Sequence, residues 1–312
     1  MDKKAYEMTR LQALCSEKGP LCIGLDTDPS YIPPEILRLH DSPAQAVLAY
    51  NRALISETAR HAACFKVQIA YYEAMGIEGL SVYSETLKTV RSAGIPVIAD
   101  IKRGDIADTA KAYARAHFSG DFEADIITLN PYMGFDTLAP FLEFVGQTGK
   151  GIFVLLKTSN PGMKDIEWLR LDPEHSREVR VLDVVGSGIE NISGRFGQYL
   201  AKDCSPVGVV VGCTDEEEAE AIRSRYPNLF FLIPGYGSQG GVARIAALLL
   251  GRAGGTVNSS RGILCAWQKD PSLSLKMTSN SLTLDDIVES AARAAFNSKA
   301  ELTGAKKTLA GG

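Results

Sequence analysis

The chain has 312 residues, 45% of them hydrophobic and 22% charged, with a formal net charge of -4 at pH 7. That length and apolar content can bury a large core, in one large domain or two ordinary ones. The balance of 33 Lys and Arg against 37 Asp and Glu leaves no basic field for a nucleic-acid backbone, which argues against a nucleic-acid partner.

The amino-terminal run Met-Asp-Lys-Lys-Ala-Tyr-Glu lacks the apolar stretch of a secretory signal. No run approaches the roughly 18 apolar residues of a membrane span, so a cytoplasmic protein without a membrane partner is expected. Six scattered cysteines without Cys-x-x-Cys spacing read as reduced, mostly buried packing residues, and no two of the four histidines stand at metal-ligand spacing.

Short β-branched and apolar runs alternate with helical stretches, the pattern of a parallel sheet with crossover helices. In chain order the runs fall at 21–26, 64–69, 96–101, 124–130, 151–157, 207–212, 229–235 and 256–260. Several are nearly continuous in apolar character, as strands covered on both faces are. Eight such units predict an α/β fold, a single-domain (β/α)8 or TIM barrel spanning residues 1–312. After the first run, Ser42-Pro43-Ala44-Gln45 supplies an N-cap, a proline at the first helical position and a capping-box Gln. Val47, Leu48, Leu54, Ile55, Thr58, Ala59 and Ala62 then recur at helical period, which turns one face onto the barrel. An excursion at about 158–206, roughly twice a simple crossover, is expected to hold an elaborated loop and a helix over 181–200, and would suit an active-site lid. After about 303 the chain is small and polar, and a frayed tail is expected.

Working groups in such a barrel cluster at the carboxyl ends of the strands. The sequence places Asp26, Lys66, Asp100, Lys102, Asn130 and residues 157–159 there, with 235–241 and 259–262 in the last two loops. Asp100 and Lys102 are two apart on one strand, so they point to the same side, and Asp105 follows in the loop. Buried charges of this kind need partners, and Lys66 on the neighbouring strand can join them in an alternating chain of charges. A purely structural ion-pair network would have the same composition. The run Pro234 to Gly241 has the spacing of a dinucleotide fingerprint, but no acidic residue follows about 20 positions on. With Asn258-Ser259-Ser260-Arg261-Gly262 it reads instead as a phosphate site, backbone N–H groups and a guanidinium meeting after strands seven and eight. Gly186-Ser187-Gly188 is assigned no ligand and fits an amphipathic helix. Tyr71, Tyr72 and Trp168 read as packing residues, and Asp108 with Lys111 as a solvated helix start.

These residues resemble the orotidine 5'-phosphate decarboxylase family, in its longer bacterial subgroup. The resemblance rests on Asp100, Lys102, Asp105, Ile106 and Thr109, together with Gly24-Leu25-Asp26, Phe65-Lys66-Val67, 158–162, 234–241 and 259–262, in that family's order. Ala107-Asp108 stands where the commoner form has Pro-Asn. The resemblance implies decarboxylation of orotidine 5'-monophosphate to uridine 5'-monophosphate without metal or coenzyme, in a homodimer with shared active sites. It implies Lys102 as the group at the reacting carbon with Asp100 beside it, and Asp26 and Lys66 at the ribose. Asp105 and Thr109 would reach in from the partner subunit. Ser159 would meet the pyrimidine with Asn130 near the ring, and Gln239, Arg261 and the Gly262 N–H would hold the phosphate. Two rivals are a magnesium-dependent phosphosugar enzyme, which would need an acid near the end of strand two, and a non-catalytic phosphate-binding barrel.

Overall fold

A computed structural model describes residues 6–171, 179–196, 204–236, 242–251 and 253–310. Strands β1 (Leu21–Gly24), β2 (Cys64–Gln68), β3 (Val97–Arg103), β4 (Ile126–Leu129), β5 (Gly151–Lys157), β6 (Val207–Val211), β7 (Phe231–Ile233) and β8 (Gly255–Ser259) pair in parallel in chain order. The eighth returns to the first, with Cys22 opposite Asn258, and closes the expected barrel. Among the described residues no helix is long and apolar enough to cross a membrane.

Two apolar layers follow from the period of two along each strand. Inward residues Cys22, Cys64, Ile98, Ile126, Phe153, Val210 and Leu232 fill the lower barrel. Helix α1 (Glu7–Lys18) plugs that end with Met8, Leu11 and Cys15, all buried. Outward residues such as Ile23, Phe65, Val97, Ala99, Ile127 and Val209 pack instead beneath the surrounding helices. The lower interior is therefore solid and mostly apolar, with the Thr256 hydroxyl bonded to Pro20 O and beside Cys64, and the charged inward positions lie at the carboxyl-end mouth.

Helix α2 (Pro43–Thr58) starts where the sequence places it, with Ser42 Oγ accepting from Gln45 N at 3.2 Å. The capping box is not reciprocated, because Gln45 Nε2 turns away to Glu78 Oε1. Helices α3 (Gly76–Ser92), α4 (Ala107–Phe118) and α5 (Ala139–Thr148) complete the first half of the outer ring. In the long excursion, helix α6 spans Val181–Gly194, shorter than the expected 181–200, of which 197–200 lie outside the described residues. The Gly186-Ser187-Gly188 stretch lies within α6, where the glycines admit Tyr226 and Phe135 against the helix. Helices α7 (Glu216–Arg225) and α8 (Val242–Leu250) precede α9 (Leu284–Ala310). The last of these corrects the expected frayed tail: the helix continues through Ala310, extending without a break from the part anchored by the buried Ile287, Ala291, Ala295 and Leu302. Of the six cysteines, all free, Cys15, Cys22, Cys64 and Cys204 are buried.

Candidate active site

At the barrel mouth four side chains form a single alternating chain of charge. Lys66 Nζ lies 3.0 Å from both Asp26 Oδ1 and Asp100 Oδ2, and Lys102 Nζ lies 2.6 Å from Asp100 Oδ1. The strand register explains the meeting. Gly24 pairs with Lys66 and Gln68 with Asp100, so the inward positions of β1, β2 and β3 rise together toward the mouth. Burial works against the charged form of Lys66, but the Asp100 and Asp26 carboxylates outweigh it and push the ammonium well above its ordinary range. Burial likewise works against the Asp100 carboxylate, yet Lys66 and then Lys102 hold it well below the usual carboxylate range. Lys66 and Asp100 are therefore both charged at neutral pH. These middle links of the charge chain are buried, whereas the Lys102 side chain at one end is 43% exposed and opens onto the cavity.

Neutral partners hold this chain in place. Thr128 Oγ1 donates to Asp100 Oδ1 at 2.9 Å and accepts the backbone N–H groups of Ile101 and Lys102 at 3.0 and 2.9 Å. Gln68 Nε2 donates to Asp100 Oδ2 at 3.0 Å, and Ser260 Oγ to Asp26 Oδ2 at 2.7 Å. Lys102 itself has φ 45°, a left-handed conformation at the point where the β3–β4 register shifts. The sequence reading missed Thr128 and Gln68 as site residues, and placed Ser260 in the phosphate segment whereas its hydroxyl meets Asp26. The available signal for the first two was position alone, since Gln68 lies two residues beyond Lys66 on the same strand face and Thr128 is the penultimate residue of β4.

The charge chain separates two lobes of a cavity. The larger, about 1050 Å³, is lined by Asp26, Tyr31, Tyr71, Gly235, Arg261 and Gly262 among others. The smaller, about 270 Å³, is lined by Lys102, Leu155, Thr158, Ser159, Asn160, Val210 and Leu232. Lys66, Asp100, Pro234 and Asn258 line both. Arg261 is exposed at the larger lobe and has no carboxylate partner among the described residues. Tyr72 packs in the core as expected, its hydroxyl donating to Leu25 O, but Tyr71 lines the larger lobe. Trp168 lies in a separate groove under Lys164. Asp108 and Lys111 form an exposed pair at 2.9 Å, as a solvated helix start should.

The remaining sequence candidates lie elsewhere. Gln239 is outside the described residues. Asn130 lines neither lobe, and its Oδ1 accepts from Tyr132 N at 3.0 Å. Asp105 and Thr109 also lie outside both lobes, on the loop and first turn after β3. Ala107, the first residue of α4, has φ 47°, which proline cannot adopt, so the Pro-Asn of the commoner form would not fit this backbone.

Comparison with known proteins agrees with this geometry. Residues 19–272 match the profile of the orotidine 5'-phosphate decarboxylase / HUMPS family. The orotidine 5'-phosphate decarboxylase of Clostridium kluyveri is 48% identical over 258 residues, covering 82% of this chain and 86% of the relative. That of Clostridium botulinum strain Hall is 52% identical over 256 residues, covering 81% and 87%. The OMP decarboxylase structure from Leishmania donovani aligns with TM-score 0.66 at 32% identity, over 90% of this chain and 98% of that one. The Plasmodium berghei structure shares the fold at 19% identity, TM-score 0.74, over 97% of this chain and 100% of that one. With its charge chain at the barrel mouth and this similarity over most of its length, the chain belongs to the orotidine 5'-phosphate decarboxylase family.

Proposed function

We propose that the protein converts orotidine 5'-monophosphate to uridine 5'-monophosphate and carbon dioxide, the last step of de novo pyrimidine nucleotide synthesis, in the cytoplasm and without metal or coenzyme. The observation that carries the chemistry is the paired array Asp26, Lys66, Asp100, Lys102 standing between the two lobes. Loss of carbon dioxide leaves negative charge on C6 of the pyrimidine with no adjacent electron sink, so a fixed ammonium must stabilise it directly. Lys102, at the open end of the array, is that group, and it then protonates C6 as general acid. Asp100 lies against the departing carboxylate, where like charge raises the ground state.

The lobes fit the rest of the substrate to the same reading. The phosphate takes the larger lobe, at Arg261 and the Gly262 N–H, and Gln239, outside the described residues, is the third group expected to hold it. The ribose meets Asp26 and Lys66 between the lobes. The pyrimidine takes the smaller lobe beside Ser159. Remote phosphate binding then contributes to positioning the ring at Lys102. A homodimer completes each site with the partner's Asp105 and Thr109. This is supported by exposed Ile106, Tyr132 and Met133 on the β3 and β4 loops, which touch where a Cβ at Gly104 would come 2.9 Å from Asn130 O. Against a magnesium-dependent rival, the end of β2 carries Gln68, whose amide donates to Asp100.

Incubation of the protein with orotidine 5'-monophosphate, with and without a chelator, tests the reading through the ultraviolet change on decarboxylation. Turnover insensitive to chelator is expected, and no turnover, or its abolition by chelator, rejects it. Lys102→Ala should lower turnover by about a thousandfold or more. A folded Lys102→Ala protein with wild-type rate would show that another group protonates C6.

A further inference from the structure

We propose that Gly212 is a positioning residue that sets pyrimidine specificity by forming the floor beneath Ser159, an inference that rests on Ser159 facing the pyrimidine. Gly212 follows β6, and its N–H donates to Lys157 O at 2.9 Å while Lys157 Nζ donates back to Gly212 O at 2.8 Å. The ends of β5 and β6 are thus tied in both directions. Just before this point the register slips, Leu155 pairing with Val210 and Lys157 with Val211. The extra residue in β5 turns Thr158 and Ser159 over the end of β6.

The floor is locked from below and from the side. Lys157 is 1% exposed, and its charge is met by Glu218 Oε2 at 3.2 Å from the first turn of α7. Asp215 caps that helix by accepting from Glu218 N at 2.9 Å, which fixes the carboxylate's origin. A buried cation paired in this way cannot shift without leaving a charge uncompensated. From the excursion, Glu167 accepts the Thr158 N–H and, at 2.7 Å, the Thr158 hydroxyl. The Thr158-Ser159 segment is therefore held at Thr158 by Glu167, with Gly212 beneath Ser159, at the edge of the smaller lobe.

Only glycine leaves this clamp undisturbed. A Cβ at position 212 would lie 3.0 Å from Ser159 Cβ, 3.1 Å from Ser159 N and 3.3 Å from Thr158 C. These atoms belong to the backbone or to its first side-chain carbon, so the contact is relieved only by moving Ser159. Gly212 is not among the glycines with positive φ, so alanine there meets no left-handed strain that would confuse the outcome. The substitution changes where Ser159 stands and leaves Arg261, Asp26 and Lys66 in place.

The experiment compares the binding of uridine 5'-monophosphate and ribose 5-phosphate by calorimetry in wild type, Gly212→Ala, Ser159→Ala and the double variant. Ribose 5-phosphate offers the phosphate and sugar but no pyrimidine. Gly212→Ala should weaken the nucleotide about tenfold and leave ribose 5-phosphate unchanged, since small displacements of a positioning group are costly. In the double variant the Gly212→Ala penalty should vanish, because Ser159 no longer has a hydroxyl to misplace. Equal weakening of both ligands, or a full Gly212→Ala penalty without the Ser159 hydroxyl, would overturn the proposal by making Gly212 merely structural. If Ser159→Ala leaves the nucleotide unaffected, the pyrimidine assignment of Ser159 falls and the proposal with it. If Ser159→Ala weakens the nucleotide and Gly212→Ala does not, only the proposal falls. Should Gly212→Ala fail to fold, the pair Lys157→Met with Glu218→Leu removes the lock without stranding a charge. The same selective loss of the nucleotide is expected there, and unchanged selectivity counts against the floor.

Discussion

Thr128 shows how much of the charge chain depends on a residue with no charge. Its single hydroxyl orients Asp100 and satisfies two backbone N–H groups where β3 kinks into the left-handed conformation of Lys102. A non-glycine residue with positive φ costs about 1–3 kcal/mol unless its surroundings hold it. Thr128→Val keeps the shape, removes the hydroxyl, and leaves buried donors without a partner. It should lower stability by about 2–4 kcal/mol and kcat by about ten- to a hundredfold, because Lys102 loses its fixed position. Thr128→Ser, which keeps the hydroxyl, should restore most of the rate. Steady-state kinetics and urea unfolding of the two variants check this, and a Val variant with wild-type kcat would mean that the kink is held from elsewhere.

At the scale of elements, helix α4 carries the loop containing Asp105, and its attachment is pH-sensitive. His117 in its last turn is buried, stacks on Phe122 and has no hydrogen-bond partner for Nδ1 among the described residues. Burial, and then the nearby Arg103 guanidinium, lower its pKa from 6.5 to about 4. The unfolded chain therefore takes up this proton more readily than the folded one, so stability is greatest above pH 6.5 and falls as the pH drops toward 4. Between pH 7 and pH 5 the loss from this group should be about 2 kcal/mol. Urea unfolding of His117→Phe should show a shallower decline across that window, and an identical decline would assign the pH dependence to other groups. The elements themselves were largely legible in the sequence, because apolar runs and strand ends follow a period of two that does not need the third dimension. The charges at 26, 66, 100 and 102 were legible for the same reason. Tyr71 was not, since two adjacent tyrosines on a helical turn point about 100° apart, and composition does not say which one meets the core. The end of the final helix was hidden because its last buried side chain is Leu302 and the residues beyond it are small, polar or charged.

At the scale of the whole molecule, one chain supplies a cavity and a charge chain but leaves Asp105 and Thr109 outside both lobes. If these residues serve the partner's site, each active site draws Lys102 from one subunit and Asp105 from the other. Lys102→Ala and Asp105→Ala homodimers would then both be impaired, for different reasons. In a mixed dimer one site lacks both groups, whereas the other combines an intact Lys102 with an intact partner Asp105. Unfolding and refolding an equal mixture should restore about a quarter of the wild-type activity, since half of randomly paired dimers are mixed and each has one whole site. Separately refolded variants should show no such gain. A mixture no more active than the average of its parents would place Asp105 in its own subunit's chemistry, or in none.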